Sequence, residues 1–228
     1  MRIPFAVFRV LAAALIIAAI VAQLQRSFAN WTAAGVTDIG FQFVSFFSFF
    51  TIESNVFSVV VLLIGAIYAF TNTPDSVWFN VLRGTVATYM ITTGVVYNLL
   101  LRGVELPQGT TVAWSNEVLH VVGPLVLLVD WLFAPGRRAM ASRTLWIIVS
   151  FPLIWGVYTL IRGPFAFDER LGRNWYPYPF LNPETSANGY LSVTFYMILI
   201  ALAIAAAGVG VIWLSRKPLP FKRVSVAH

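Results

Sequence analysis

Val59-Val60-Val61-Leu62-Leu63-Ile64-Gly65-Ala66-Ile67-Tyr68-Ala69-Phe70 carries no charged residue and no alternation of polar with apolar positions. A membrane-spanning strand would alternate over about ten residues, and a surface helix of a soluble domain would keep a polar face. Lipid offers no hydrogen bonds to the backbone, so a run of this kind reads as an α-helix. Extended back to Phe43, the segment Phe43–Phe70 exceeds the roughly 20 residues that cross a bilayer. The same reading outward gives further spans at about Phe5–Leu24, Val77–Leu101, Trp114–Phe133, Leu145–Ile161 and Tyr190–Leu214. Turn-forming residues separate them at Asn72-Thr73-Pro74-Asp75, Pro107-Gln108-Gly109 and Pro135-Gly136. The chain is thus predicted to be all-α, one integral membrane domain over residues 1–228, built as a polytopic bundle of six transmembrane helices.

Composition agrees. Hydrophobic residues make up 59% and charged residues 11%, against about 25% charged in soluble domains, and mean hydropathy is +0.80. The net charge of +6 does not point to nucleic acid, because most of the basic residues fall in short loops and tails of one side. The absence of cysteine excludes disulfides and thiolate chemistry. Two histidines, one of them the terminal His228, are too few for a bis-histidine haem or a histidine-rich metal site. No metal and no other cofactor is expected.

Both termini are expected in the cytoplasm. That placement gathers Arg2, Arg9, Arg83, Arg137, Arg138, Arg143, Arg216, Lys217, Lys222 and Arg223 on the inner side. Arg26, Arg102, Arg162, Arg170 and Arg173 fall outside, diluted by Asp38, Glu105, Asp168, Glu169 and Glu184. Trp78, Trp131, Trp146 and Trp213 then mark the inner interface, Trp114 and Trp175 the outer. A competing reading makes the first segment a cleaved leader, but Arg9 interrupts its apolar run early. No repeat relates the two halves, and the small residues Ala203, Ala207, Gly208 and Gly210 read as close helix packing.

Against this background the costly residues stand out, since an ionisable group at mid-bilayer costs about 2.5–3.5 kcal/mol even on lenient scales. His120 lies in the fourth span, one turn after Glu117. The second span carries Ser48, Thr51, Asn55 and Ser58, with Glu53 among them. At 1.5 Å per residue, Thr51 and His120 are predicted roughly 12 and 9 Å into their spans, hence at similar depth. Tyr97 and Asn98 of the third span fall near the same level. Thr51 shares a helix face with Asn55 and His120 with Glu117, whereas Glu53 points roughly opposite to Thr51.

A hydroxyl and an imidazole at one depth suggest a nucleophile and its general base. Glu117 is the local candidate to orient the ring, and Asn55, Tyr97 or Asn116 to donate to a tetrahedral intermediate. Other readings stand beside this one. Thr51 alone reads first as a packing hydroxyl, His120 equally as a hydrogen-bonded strut, and Glu117 with His120 as the proton handlers of a non-enzymatic transporter or lipid-binding protein. Asp130 beside Trp131 reads as interfacial, and Arg83 as snorkelling. Arg162 is placed to meet an anionic headgroup or carboxylate, or Asp168 or Glu169. The Gly163–Gly189 segment, with Trp175-Tyr176-Pro177-Tyr178-Pro179-Phe180, reads as a cap over the outer mouth or as an interfacial anchor, making Trp175 and Tyr178 candidate substrate contacts.

Phe49-Phe50-Thr51-Ile52-Glu53-Ser54-Asn55, Asn116-Glu117-Val118-Leu119-His120 and Trp175-Tyr176-Pro177-Tyr178-Pro179-Phe180-Leu181 occur in that order. They resemble a bacterial family of six-span membrane proteins related to the androgen-induced and androgen-dependent membrane proteins of animals. The likeness runs from the second span through the sixth. It implies an intramembrane hydrolase of lipid esters, such as fatty acid esters of hydroxy fatty acids, with Thr51 as nucleophile and His120 as its partner. It also implies a membrane lipid or lipid-like substrate and a place in the bacterial cytoplasmic (inner) membrane. The animal members carry an aspartate shortly after the threonine where this chain has Glu53 and Asn55, and the step from His120 to Pro124 is shorter here.

Overall fold

The computed structural model describes residues 2–104 and 111–218. The Pro107-Gln108-Gly109 turn, Glu105, Lys222, Arg223 and His228 lie outside the described residues. Among the described residues six helices are long and apolar enough to cross a membrane. They begin with α1 (Arg2–Ala33), followed by a short α2 (Ile39–Phe47) that leads into α3 (Phe50–Phe70). The third span is α4 (Val77–Val96), continued by a π-turn over Tyr97–Leu101. The fourth joins α5 (Ala113–Glu117) to α6 (Gly123–Phe133) through a π-turn over Val118–Val122. The last two are α7 (Thr144–Arg162) and α8 (Tyr190–Ser215). A folded connection between them holds a two-residue antiparallel hairpin, β1 (Phe167–Asp168) with β2 (Arg173–Asn174), and a tight turn over Pro179–Leu181. Helix α1 lies along α3, and α4 sits centrally against α3, α6, α7 and α8.

The third to sixth spans fall within a residue of their expected limits. The first is longer, running past Leu24 to Ala33, because Trp31 is buried edge-on against Phe43 at 5.6 Å. The second is not the single helix expected over Phe43–Phe70. It breaks at Ser48-Phe49, where Phe49 turns to extended backbone (φ −70°, ψ 124°). Neither glycine nor proline marks the break; partners from α7 and its connection stabilise it. The Ser48 carbonyl accepts the Trp155 indole N–H at 3.0 Å, the Ser48 hydroxyl meets Tyr158 Oη at 2.9 Å, and the Thr51 N–H donates to Tyr178 Oη at 3.2 Å.

Two prolines inside the spans free backbone carbonyls in the same way. Pro152 in α7 has no N–H for the Ile148 carbonyl, which accepts the Tyr89 hydroxyl at 2.8 Å instead. Ahead of Pro124 the Gly123 N–H reaches back to Val118, five residues away, and the Leu119 carbonyl accepts from Asn55 Nδ2 at 3.1 Å. Each such bond is worth about 1 kcal/mol net, and leaving the buried carbonyl unmet would cost more.

Four buried charged side chains, Arg9, Asp75, Arg83 and Asp130, are gathered at the end of the bundle that holds the N-terminus of α1, the α3–α4 turn, the α6–α7 loop and the C-terminus of α8. Asp130 is 1% exposed and grips two arginines: Arg9 Nε to Oδ1 at 2.7 Å and Arg83 Nε to Oδ2 at 2.7 Å. Arg83 also reaches Asp75 at 3.1 Å, and Arg9 donates to the Gly65 carbonyl at 2.6 Å. Neither Asp130 nor Arg83 therefore reaches out to water, as an exposed interfacial carboxylate or a snorkelling arginine would; burial among opposite charges replaces that contact. Trp131 is likewise fully buried, with the Arg83 guanidinium 5.6 Å from its ring, and does not present its ring at the bundle surface. Gly136 holds φ +102° beside this cluster, and a Cβ there would come within 2.4 Å of the Asp75 carboxylate. Asp130→Ala leaves the buried Arg9 guanidinium without a carboxylate and Arg83 with Asp75 alone, and is expected to cost about 3–5 kcal/mol. Thermal unfolding in detergent micelles reads this directly, and an unchanged melting temperature would contradict the assignment.

Candidate active site

The break before α3 places Thr51 in the first turn of a helix, not midway along one. Its hydroxyl lies 3.2 Å from His120 Nε2. Two spans distant in sequence are brought together here, α3 and the π-turn of the fourth span, and Asn55 ties them. Its amide nitrogen donates to the Thr51 carbonyl at 2.8 Å and to the freed Leu119 carbonyl at 3.1 Å. Its Oδ1 is buried without a hydrogen-bond partner.

His120 Nδ1 is 2.9 Å from the Asn116 carbonyl oxygen. A carbonyl only accepts, so Nδ1 carries the ring proton and Nε2 presents its lone pair to Thr51. The Thr51 proton then points to Nε2, which leaves Oγ1 as acceptor for the Tyr178 hydroxyl, also 3.2 Å away. The result is one directed chain of hydrogen bonds: Tyr178 O–H to Thr51, Thr51 O–H to His120, His120 N–H to Asn116. Asn116 acts twice, since its side-chain amide donates to the Tyr97 hydroxyl. The Tyr97 ring is stacked on His120 with centroids 4.0 Å apart and planes 25° from parallel.

Glu117 does not orient the ring. It pairs with Arg102 at 3.0 Å, both side chains about half exposed (48% and 49%), because it projects from the helix beside the imidazole toward the surface. The main-chain carbonyl of its neighbour takes the orienting role. The donors expected from Asn55 and Asn116 are committed to backbone and to Tyr97, so neither reaches Thr51 Oγ1. Glu53 makes no bond to the chain of Thr51 and His120, and its Oε2 is buried without a hydrogen-bond partner. Ser54 and Ser58 bond their own helix, Ser54 also meeting Thr93 at 3.2 Å.

A cavity of about 530 Å³, with Thr51 in its wall, lies between α4, α7, α8 and the α7–α8 connection. That is within the roughly 300–1,000 Å³ of small-molecule sites. Phe50, Val96, Leu153, Met197 and Ile204 are among its walls, and no charged side chain lines it among the described residues. Leu153 and Ile198 line it and are also exposed on the outer face of the bundle, so it abuts the surface that lipid would cover. Pro152, with its missing hydrogen bond, lies in the same wall.

Of the three expected substrate contacts, only Tyr178 lines this cavity. Arg162 is held between aromatic faces instead, 5.2 Å from the Phe41 ring and 4.9 Å from the Trp175 ring, and it donates to Ser45 Oγ at 3.0 Å. It does not pair with Asp168, which accepts the Arg170 and Leu171 N–H groups within the hairpin turn. Trp175 is buried edge-on against Phe49 at 5.6 Å. Both residues dock the connection on the bundle. Gly163 does so as well, since a Cβ there would come within 2.1 Å of the Tyr176 ring. Among the described residues no group of three or more histidine, cysteine, aspartate or glutamate side chains is arranged to hold a metal ion.

His120 in its neutral form is expected to be the Nδ1–H tautomer. Nitrogen-15 shifts of histidine-labelled protein carrying His228→Gln will report it, and a protonated Nε2 would contradict the bond to Asn116.

No protein-family model, curated protein or solved structure matches the chain.

Proposed function

We propose that this protein is an intramembrane ester hydrolase in which Thr51 is the nucleophile, His120 its general base, and the substrate a lipid ester. The observation that carries the reading is the Thr51 Oγ1 to His120 Nε2 contact of 3.2 Å, with the imidazole lone pair turned to the hydroxyl and Thr51 itself in the wall of an apolar cavity. Threonine is a weak nucleophile until a base takes its proton during attack, and this geometry supplies one. An acyl chain enters from the lipid side between α7 and α8 and lies along the cavity. Oγ1 attacks the ester carbonyl as its proton moves to Nε2. The alkoxide leaves with that proton, and a water activated by the same imidazole hydrolyses the acyl-threonine. The resemblance to the six-span relatives of the androgen-induced proteins supports the same pair of residues.

Neither Glu117 nor Asp130 favours the rival reading as a transporter: one is paired with Arg102 at the surface and the other with two buried arginines. The orientation proposed puts the end bearing Arg2, Arg138, Arg216 and Lys217 in the cytoplasm of a bacterial cell, with Thr51, His120 and the α7–α8 connection toward the outer face. Reporter fusions to the C-terminus should then be active only inside the cell, and activity confined to the outer side would reverse the assignment.

Purified protein should be labelled by a serine-hydrolase-type fluorophosphonate at Thr51, and Thr51→Ala should not be. Because the nucleophile and base act as one unit, Thr51→Ala and His120→Ala should each remove most ester turnover, the double replacement costing little more. Turnover should fall with acid as the imidazole gains a proton and loses its lone pair. Undiminished hydrolysis by Thr51→Ala would defeat the mechanism.

A further inference from the structure

Tyr178 sits against the nucleophile in a way that substrate contact alone does not explain. Its oxygen receives the backbone N–H of Thr51, in the first turn of α3, at 3.2 Å. Its own proton is directed to Thr51 Oγ1, 3.2 Å away, because the threonine proton is committed to His120. The ring is fixed on three sides: stacked on Phe180 at 5.2 Å, edge-on to Phe49 at 5.7 Å and against Trp155 at 6.1 Å. Only the O–H torsion is left to move.

We propose that Tyr178 is a third catalytic group of this site, the donor that holds the oxyanion formed when an ester carbonyl is attacked. This rests on the hydrolase reading above. A carbonyl carbon bonded to Oγ1 brings its oxygen within one further bond of the groups already surrounding Oγ1, and Tyr178 is the side-chain donor among them that is not committed elsewhere. As Oγ1 bonds the carbonyl carbon, the Oγ1 proton passes to Nε2 and the carbonyl electron pair moves onto oxygen. The Tyr178 O–H turns from Oγ1 to that oxygen and keeps its proton. On collapse the pair returns, the bond to the alkoxide breaks, and the alkoxide takes the proton from Nε2. Burial pushes the Tyr178 phenol up to about 12, outweighing its hydrogen bonds to Thr51, so it remains a neutral donor near pH 7. A charged group at the same place would carry a desolvation cost in the resting state; a phenol does not.

Tyr178→Phe removes the hydroxyl and keeps the ring that docks the connection. With 4-nitrophenyl octanoate and purified full-length protein, kcat should fall about 10²–10³-fold, as for loss of one oxyanion donor, while KM stays near wild type; the melting temperature should drop modestly, because the Thr51 N–H loses its acceptor. A second readout is independent of how much protein folds. The rate ratio between the ester and its thionoester, whose sulfur accepts hydrogen bonds poorly, should collapse toward one in Tyr178→Phe. An unchanged ratio, or a loss confined to KM, would overturn the assignment and leave Tyr178 as a binding or packing residue. Full turnover by Tyr178→Phe beside an inactive Thr51→Ala would overturn Tyr178 alone. Full turnover by Thr51→Ala would overturn the nucleophile reading and Tyr178 with it.

Discussion

The arrangement hangs on the break between α2 and α3. A helix running through Ser48 and Phe49 would bond the Thr51 N–H to its own preceding turn, and the Ser48 carbonyl to the following one. Both groups are instead met by side chains from elsewhere, Trp155 on α7 and Tyr178 on the α7–α8 connection. Apolar surroundings supply no water to take these places, so the break and its partners exist only together. Three consequences follow from that one coupling. Thr51 arrives in a first helical turn, its hydroxyl clear of the preceding backbone. The connection is drawn against the bundle at Thr51. Thr51 is thereby one wall of the cavity between α4, α7 and α8.

The histidine is delivered by a second irregularity of the same kind. Pro124 supplies no N–H, the helix widens to a π-turn over Val118–Val122, and the released Leu119 carbonyl is taken by Asn55 of α3. Such widened turns recur at functional sites because they re-aim one side chain without ending a helix. Here the re-aimed residue is His120. The second π-turn, over Tyr97–Leu101, begins with the ring stacked on it. Ring face, Nδ1 and Nε2 are each in contact with a different element, which leaves the imidazole little freedom.

Apolar run length made the six spans legible, and the last four agree with it to within a residue, because in lipid the helix is almost forced. The pairing of Thr51 with His120 was legible from depth and face. What the sequence concealed was everything decided by tertiary partners. The Ser48-Phe49 break has no glycine or proline to announce it. Glu117 looked like the orienting group because it is a carboxylate one turn away, yet a main-chain carbonyl, invisible to any reading of side chains, does that work. Asp130, Arg83 and Trp131 looked interfacial one at a time, since only the fold reveals that Arg9 from the first span reaches Asp130 of the fourth. Arg162 had the charge to meet an anion, and the structure spends its flat guanidinium on Phe41 and Trp175 instead.

The molecule keeps two kinds of polar chemistry apart. The Arg9, Asp130, Arg83 and Asp75 cluster is two cations against two anions, a set of permanent charge in which removing any member leaves a buried net charge. The groups bonded to one another around Thr51 are a hydroxyl, a phenol, an imidazole drawn in its neutral tautomer, and backbone, and Glu53 of the same helical turn bonds none of them. Such a set sits in apolar walls at little electrostatic cost, since nothing in it must be charged at rest. On the proposed mechanism charge appears there only during reaction, as imidazolium and oxyanion together and a few ångströms apart. In a low-dielectric cavity that pair attracts more strongly than it would in water. The apolar lining that admits an acyl chain therefore also strengthens the one ion pair the reaction creates, provided donors are already aimed where the oxyanion forms.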